Sequence, residues 1–158
     1  MIASQLQPLN LPPHKVALRR GEDGAMNVYD PLRKKWLVLT PEEWVRQHFV
    51  NWLIEDLHYP PSLIANEVSL RLNSMQKRSD TVVYTRELKP LCIVEYKAPH
   101  VRVTQKVFDQ IVRYNMVFRA KCLIVSNGLE HYCCRLSYNP PKYEFLENIP
   151  DYEQLLSL

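Results

Sequence analysis

No stretch of this 158-residue chain is apolar for long enough to cross a membrane. Its N-terminus lacks a charged segment followed by an apolar one, which argues against a secretory signal. Its four cysteines, Cys92, Cys122, Cys133 and Cys134, show no metal-type spacing. Repeats and low-complexity tracts are missing too. Charge of one sign is scarce: 20 Lys and Arg stand against 17 Asp and Glu, a formal net charge of +3. That surplus permits a polyanionic partner without arguing for one. What remains is a cytoplasmic globular domain whose 46% hydrophobic residues suffice for one core. The cysteines lie in or directly after strand-like apolar runs, so buried free thiols are expected.

Pattern divides the chain. Residues 1–13 hold three prolines and little periodicity and read as a loose N-terminal arm. Residues 14–158 read as one domain. Lys15 to Thr40 alternates short β-rich pieces with turns (KVALRR, AMNVYD, KKWLVL), which predicts a meander. A helix opens at TPEEWVRQHFVNWLIEDL, with Thr40 as N-cap, Pro41 at the first helical position and Glu43 completing a capping box. Val45, Phe49, Trp52 and Leu53 form its apolar stripe, and HYPP ends it. Three strands follow (LIANEVSLRL, SDTVVYT, PLCIVEYK), the last two joined by a turn short enough for an antiparallel hairpin. A second helix is expected from Thr104 to about Arg119, then strands KCLIVSN, HYCCRLS and KYEFLE and a short terminal helix, DYEQLLSL. This order predicts an α/β or α+β fold, a central mixed sheet flanked by helices and preceded by the meander.

Charged residues stand out by position. In CIVEYKAP an apolar strand ends with Glu95 and Lys97 on one face, because strand side chains alternate. Asp80 opens the strand before it, so a hairpin brings Asp80 beside Glu95 by topology alone. Two converging carboxylates suit a hard cation such as Mg²⁺, and a neighbouring lysine can orient water or contact a phosphate. In the second helix Val103, Val107, Gln110, Tyr114 and Val117 fall on one stripe at 3–4 spacing, which predicts a buried Gln110 amide facing the sheet. In the first helix, spacing favours Glu42 over Glu43 as the acid that points inward.

The set of a helix acid, Asp80, Glu95-x-Lys97 and Gln110-x-x-x-Tyr114 resembles the PD-(D/E)XK nuclease superfamily. The stretches TPEEWVRQ, RSDTVVY, PLCIVEYKAP, FDQIVRYN and SNG are similar to the N-terminal nuclease domain of type I restriction enzyme R subunits. Ser79 stands where the superfamily pattern has proline before the aspartate. The resemblance spans about residues 33 to 138, with the motifs within 40–128. It implies a restriction-endonuclease-like fold and hydrolysis of DNA phosphodiester bonds with Mg²⁺ (or Mn²⁺). Asp80 and Glu95 would be metal ligands, Lys97 the catalytic lysine, Gln110 and Tyr114 the supporting motif. On the resemblance the helix acid is Glu43, against the spacing argument for Glu42. Arg46, Lys77, Arg78, Arg102 and Arg113 are the cations expected to hold a DNA backbone. The sequence carries no translocase such as R subunits have. Duplex DNA is the expected partner, together with a second copy of the chain or a restriction or helicase subunit. The alternative is a catalytically silent DNA-binding or scaffold module of the same fold.

Overall fold

A computed structural model describes residues 6–72 and 75–158 of the chain, and no side chain between 70 and 77. Two sheets and three α-helices make up the described part. Strands β1 (Leu18–Arg20), β2 (Met26–Asp30) and β3 (Lys35–Val38) form the expected meander, antiparallel throughout. The main sheet runs β4 (Ile64–Leu72), β5 (Met75–Tyr84), β6 (Pro90–Tyr96), β7 (Cys122–Ser126), β8 (His131–Ser137), β9 (Lys142–Leu146), in that spatial order. Its pairs are antiparallel except β6–β7, so the sheet is mixed. Only that parallel pair requires a crossover, and helix α2 (Gln105–Asn115) supplies it.

Helix α1 (Pro41–Glu55) starts where its cap dictates: the Thr40 hydroxyl accepts from the Glu43 N–H at 3.0 Å, with Pro41 in the first turn. Only half of the expected capping box forms, because the Glu43 carboxylate turns away to Arg33, Arg46 and Gln47. Its core face is Val45, Phe49 and Leu53, all fully buried. Packed under α1 are Val83, Cys92, Val94, Cys122, Ile124 and Cys133, one face of the sheet. The opposite face (Val82, Ile93, Leu123, Val125, Cys134) packs under Phe108 and Val112 of α2. A central strand covered on both sides must be apolar throughout, which is why PLCIV contains no charge. All four cysteines are buried free thiols.

Three expectations need correction. Residues 6–13 are not loose: Asn10 N donates to the Gly128 carbonyl at 2.8 Å, and Trp44 Nε1 to the Gln7 carbonyl at 2.9 Å. Leu9 and Leu11 also pack on the core. Gly128 holds φ +86°, and a Cβ there would stand 2.7 Å from Leu9, so the arm's docking depends on that glycine. Helix α2 stops four residues short of Arg119, giving way to a 3₁₀ turn (Met116–Phe118) that Arg119 ends in the left-handed region at φ 55°. Its buried face is Phe108, Val112 and Asn115, not the stripe through Gln110 and Tyr114. Both stripes have helical spacing, and the larger Phe108 side chain takes the sheet. Among the described residues no helix is long and apolar enough to cross a membrane.

The short helix α3 (Tyr152–Leu156), capped by a full box between Asp151 and Gln154, closes the far end of the sheet.

Candidate active site

The β5–β6 register pairs Thr81 with Val94, and one step further sets Asp80 opposite Glu95. Their closeness follows from the five-residue turn 85–89 together with a one-residue register shift between Val83 and Tyr84, without which Asp80 would face Val94. Asp80 Oδ2 accepts from the Tyr96 N–H at 2.9 Å, tying the carboxylate to β6. Burial, then the Asp80 carboxylate beside it, push the Glu95 carboxyl up to about 9; Lys97 and the Asn115 amide act in the other direction without prevailing. Among the described residues, Glu95 Oε1 and Asn115 Oδ1 are buried polar atoms with no hydrogen-bond partner. The polar group that α2 presents to the sheet is therefore Asn115, 1% exposed, while Gln110 is exposed.

A third acid joins this row. The β4–β5 ladder pairs Asn66 with Thr81 and Val68 with Ser79, leaving Glu67 opposite Asp80 with no ladder bond between them. Glu67 holds φ 57°, an uncommon conformation for a non-glycine inside a strand. It accepts from Arg46 Nη2 at 2.8 Å and pairs with Arg78. Burial alone would raise its pKa, yet the two guanidinium groups keep its carboxyl below the usual range. Glu67, Asp80 and Glu95 thus cross three neighbouring strands at one level. Sequence reasoning missed Glu67; the signal was available only through the β4–β5 register.

Helix α1 closes the site from above. Glu43 is 7% exposed and accepts from Arg33, Arg46 and Gln47 at 2.9–3.2 Å, whereas Glu42 is exposed at the rim. The spacing argument for Glu42 therefore fails, because the Thr40 cap sets the helix phase so that Glu43 turns inward. Arg46 is 4% exposed, bonded to Glu43 and Glu67, with Nη1 and Nη2 spoken for and Asp80 Oδ1 3.9 Å from Nη2. It is an internal counter-charge and not a surface contact for a DNA backbone. Arg78 is tied to Glu67. Arg102 and Arg113 are exposed and do not line the cleft, and the side chain of Lys77 lies outside the described residues. The Tyr114 hydroxyl accepts from the Arg78 N–H at 3.2 Å, bracing β5 two residues before Asp80.

These groups share a cleft of about 730 Å³, lined by Glu43, Arg46, Glu67, Asp80, Glu95 and Lys97 from the main domain. Arg33, Lys35, Leu37 and Val38 of the meander form its other wall. The donor set is hard oxygen, which fits Mg²⁺ or Mn²⁺, and the unpartnered Glu95 Oε1 is an atom such an ion could satisfy.

A family model described as the type I restriction enzyme R protein N terminus matches residues 41–150. Among solved structures, the chain is similar to a fragment of a putative HsdR subunit of a type I restriction enzyme from Vibrio vulnificus YJ016. The match has a TM-score of 0.52 at 20% identity and covers 73% of this chain and 24% of that one. At that identity the likeness concerns the fold. No curated protein sequence matches significantly.

Proposed function

Because the chain belongs to the family of type I restriction enzyme R protein N-terminal domains, we propose that it is a metal-dependent endonuclease of the PD-(D/E)XK type that hydrolyses DNA phosphodiester bonds. One observation carries this reading: Asp80 and Glu95 meet from adjacent strands, with Lys97 and the helix acid Glu43 in the same cleft. Asp80 and Glu95 would hold the cation, Mg²⁺ or Mn²⁺. Bound there, it would lower the pKa of water and offset negative charge on the scissile phosphate.

The chain's own residues do the rest. Lys97 Nζ donates to the attacking water or to a phosphate oxygen and fixes the line of attack. Glu43 holds Arg33 and Arg46 in place and so sets the charge around Asp80. Tyr114 steadies β5 at the backbone just before Asp80. Gln110, exposed on α2, has no contact in the cleft through which to act. Duplex DNA is the proposed substrate, in the cytoplasm and within a restriction complex. Cutting both strands would take two such sites, from a second copy or a partner subunit.

A second reading, a catalytically silent DNA-binding or scaffold module, draws on Arg46, whose guanidinium already gives Asp80 a positive neighbour at 3.9 Å. Cleavage of supercoiled, linear and branched DNA with Mn²⁺ separates the two, with calorimetry of metal binding alongside. Wild type is expected to nick, and Lys97→Ala to be slower by at least ~100-fold. Asp80→Ala is expected to bind the ion weakly. A wild-type protein that neither binds Mn²⁺ nor nicks DNA would sink the nuclease reading.

A further inference from the structure

All of the chain's surplus charge sits in one small element. Residues 15–38, the meander and its flank, carry six basic and three acidic residues, a surplus equal to the +3 of the whole chain. The remainder is balanced at 14 of each sign. Within this element Arg33 is taken up by Asp30 and Glu43. Lys34 and Lys35 are exposed, and neither has an ion-pair partner among the described residues. Arg19 is exposed too, its guanidinium 4.2 Å from the centre of the Trp36 ring, and that ring stands edge-on to Tyr29 at 5.3 Å.

Position matters as much as charge. Lys35 and Val38 line the same cleft as Asp80, Glu95 and Lys97, and Val38 is 58% exposed at its mouth. A phosphodiester strand approaching Asp80 and Glu95 meets Lys97 inside the cleft, while Glu67 is already paired with Arg46 and Arg78, so further attraction has to come from the cleft wall. Arg46 and Arg78 cannot supply it, since Glu43 and Glu67 already neutralise them. Apart from Lys97, Lys35 on the meander wall is the basic residue lining the cleft that makes no ion pair among the described residues. Lysines there act as point charges on phosphates and read no bases. Arg19, on the opposite face of the meander from Lys35, borders a separate pocket with Glu22 and Asp23.

We propose that the β1–β3 sheet is a clamp for the DNA backbone, with Lys34 and Lys35 holding phosphates that flank the one at Asp80 and Glu95. The inference rests on the nuclease reading of the cleft and adds the surface that grips the substrate. Its test is fluorescence anisotropy of the full chain with a labelled DNA duplex in EDTA, across a range of KCl concentrations. Lys34→Gln/Lys35→Gln is compared with Lys89→Gln/Lys142→Gln, an equal charge change at exposed positions outside the cleft. Two lost phosphate contacts should reduce the slope of log affinity against log salt by about 1.8 and weaken binding roughly 10–100-fold near 0.1 M salt. The control pair should leave the slope within about 0.5 of wild type. Equal losses in both pairs would overturn the clamp and leave the nuclease reading standing. Wild-type protein with no salt-dependent DNA binding would overturn both, and tighter binding to an RNA duplex would overturn the choice of DNA.

Discussion

Replacing Arg46 by methionine keeps the length of the side chain and removes its charge. In the native structure Arg46 is 4% exposed; its guanidinium bonds Glu43 on its own helix at 3.2 Å and joins α1 to β4 through Glu67 at 2.8 Å. A unit pair at such distances is worth about 4 kcal/mol near a protein surface, most of it offset by dehydration of the ions. The variant bears that dehydration on the acids without the compensating attraction. Breaking a buried pair from one side costs about 3–5 kcal/mol. The low end applies because Glu43 keeps Arg33 and Gln47, and Glu67 keeps Arg78. In a domain of this size ~3 kcal/mol lowers Tm by about 6–12 °C.

Thermal denaturation of wild type and Arg46→Met in EDTA at pH 7 measures this directly. The double variant Arg46→Met/Glu67→Gln removes one of the stranded carboxylates and should recover about 1–2 kcal/mol relative to simple additivity. A single variant within about 0.5 kcal/mol of wild type, or a strictly additive double variant, would refute the reasoning. Arg46 would then be a solvated charge whose two carboxylate neighbours contribute nothing.

Asp30 gives a pH dependence. Burial alone would raise its carboxyl, but bonds from Arg33, Asn66 and the Leu32 N–H win and lower it below the usual range. Its contribution is therefore complete above the unfolded pKa and is lost as pH falls through the lower native one. Asp30→Asn should be less stable than wild type by ~1–3 kcal/mol at pH 7, and the gap should shrink below about pH 4 in denaturant melts; a gap that widens in acid contradicts this. Asn115→Ala, which empties a site 1% exposed, should cost about 1–2 kcal/mol, whereas Gln110→Ala should change stability by less than about 0.5. Urea midpoints in the reverse order would restore Gln110 to the sheet-facing side.

Much of this was legible in the sequence where local rules dominate. Thr40-Pro41 marks the start of α1 because an N-cap hydroxyl and a proline without N–H suit the first turn. The apolar run into Glu95 marks a strand covered on both faces, and the short turn after Tyr84 pairs the two strands. The facing of Asp80 and Glu95 also needs a one-residue register shift at Val83/Tyr84 that no sequence pattern announced. What escaped depends on partners distant in sequence. Glu67 joins the site only through a register running the length of the β4–β5 hairpin. Arg46 reads as a surface cation until Glu67 arrives from another strand to meet it. Gln110 and Asn115 lie on rival stripes of equally good spacing, and only the packing of Phe108 decides between them. The inward turn of Glu43 is a matter of one residue's phase at the cap, finer than periodicity resolves.

The row Glu67–Asp80–Glu95 places three acids where the fold gains nothing from their mutual repulsion, with Glu67 in the left-handed region at φ 57°. The protein meets that repulsion differently at the two ends. At the α1 end, Arg46 and Arg78 hold the Glu67 carboxyl below its usual range. At the α2 end, Glu95 has no arginine ion pair among the described residues, and burial followed by the Asp80 charge pushes its carboxyl up to about 9 against the opposing effects of Lys97 and the uncharged Asn115. Local stability would be better served by an arginine at both ends or by glutamine in place of Glu95. A partly buried acid with Oε1 unpartnered and a second carboxylate against it is a group whose surroundings disfavour its charged form. That asymmetry separates the β5–β6 end, where Lys97 is the neighbouring cation, from the arginine-filled β4 end.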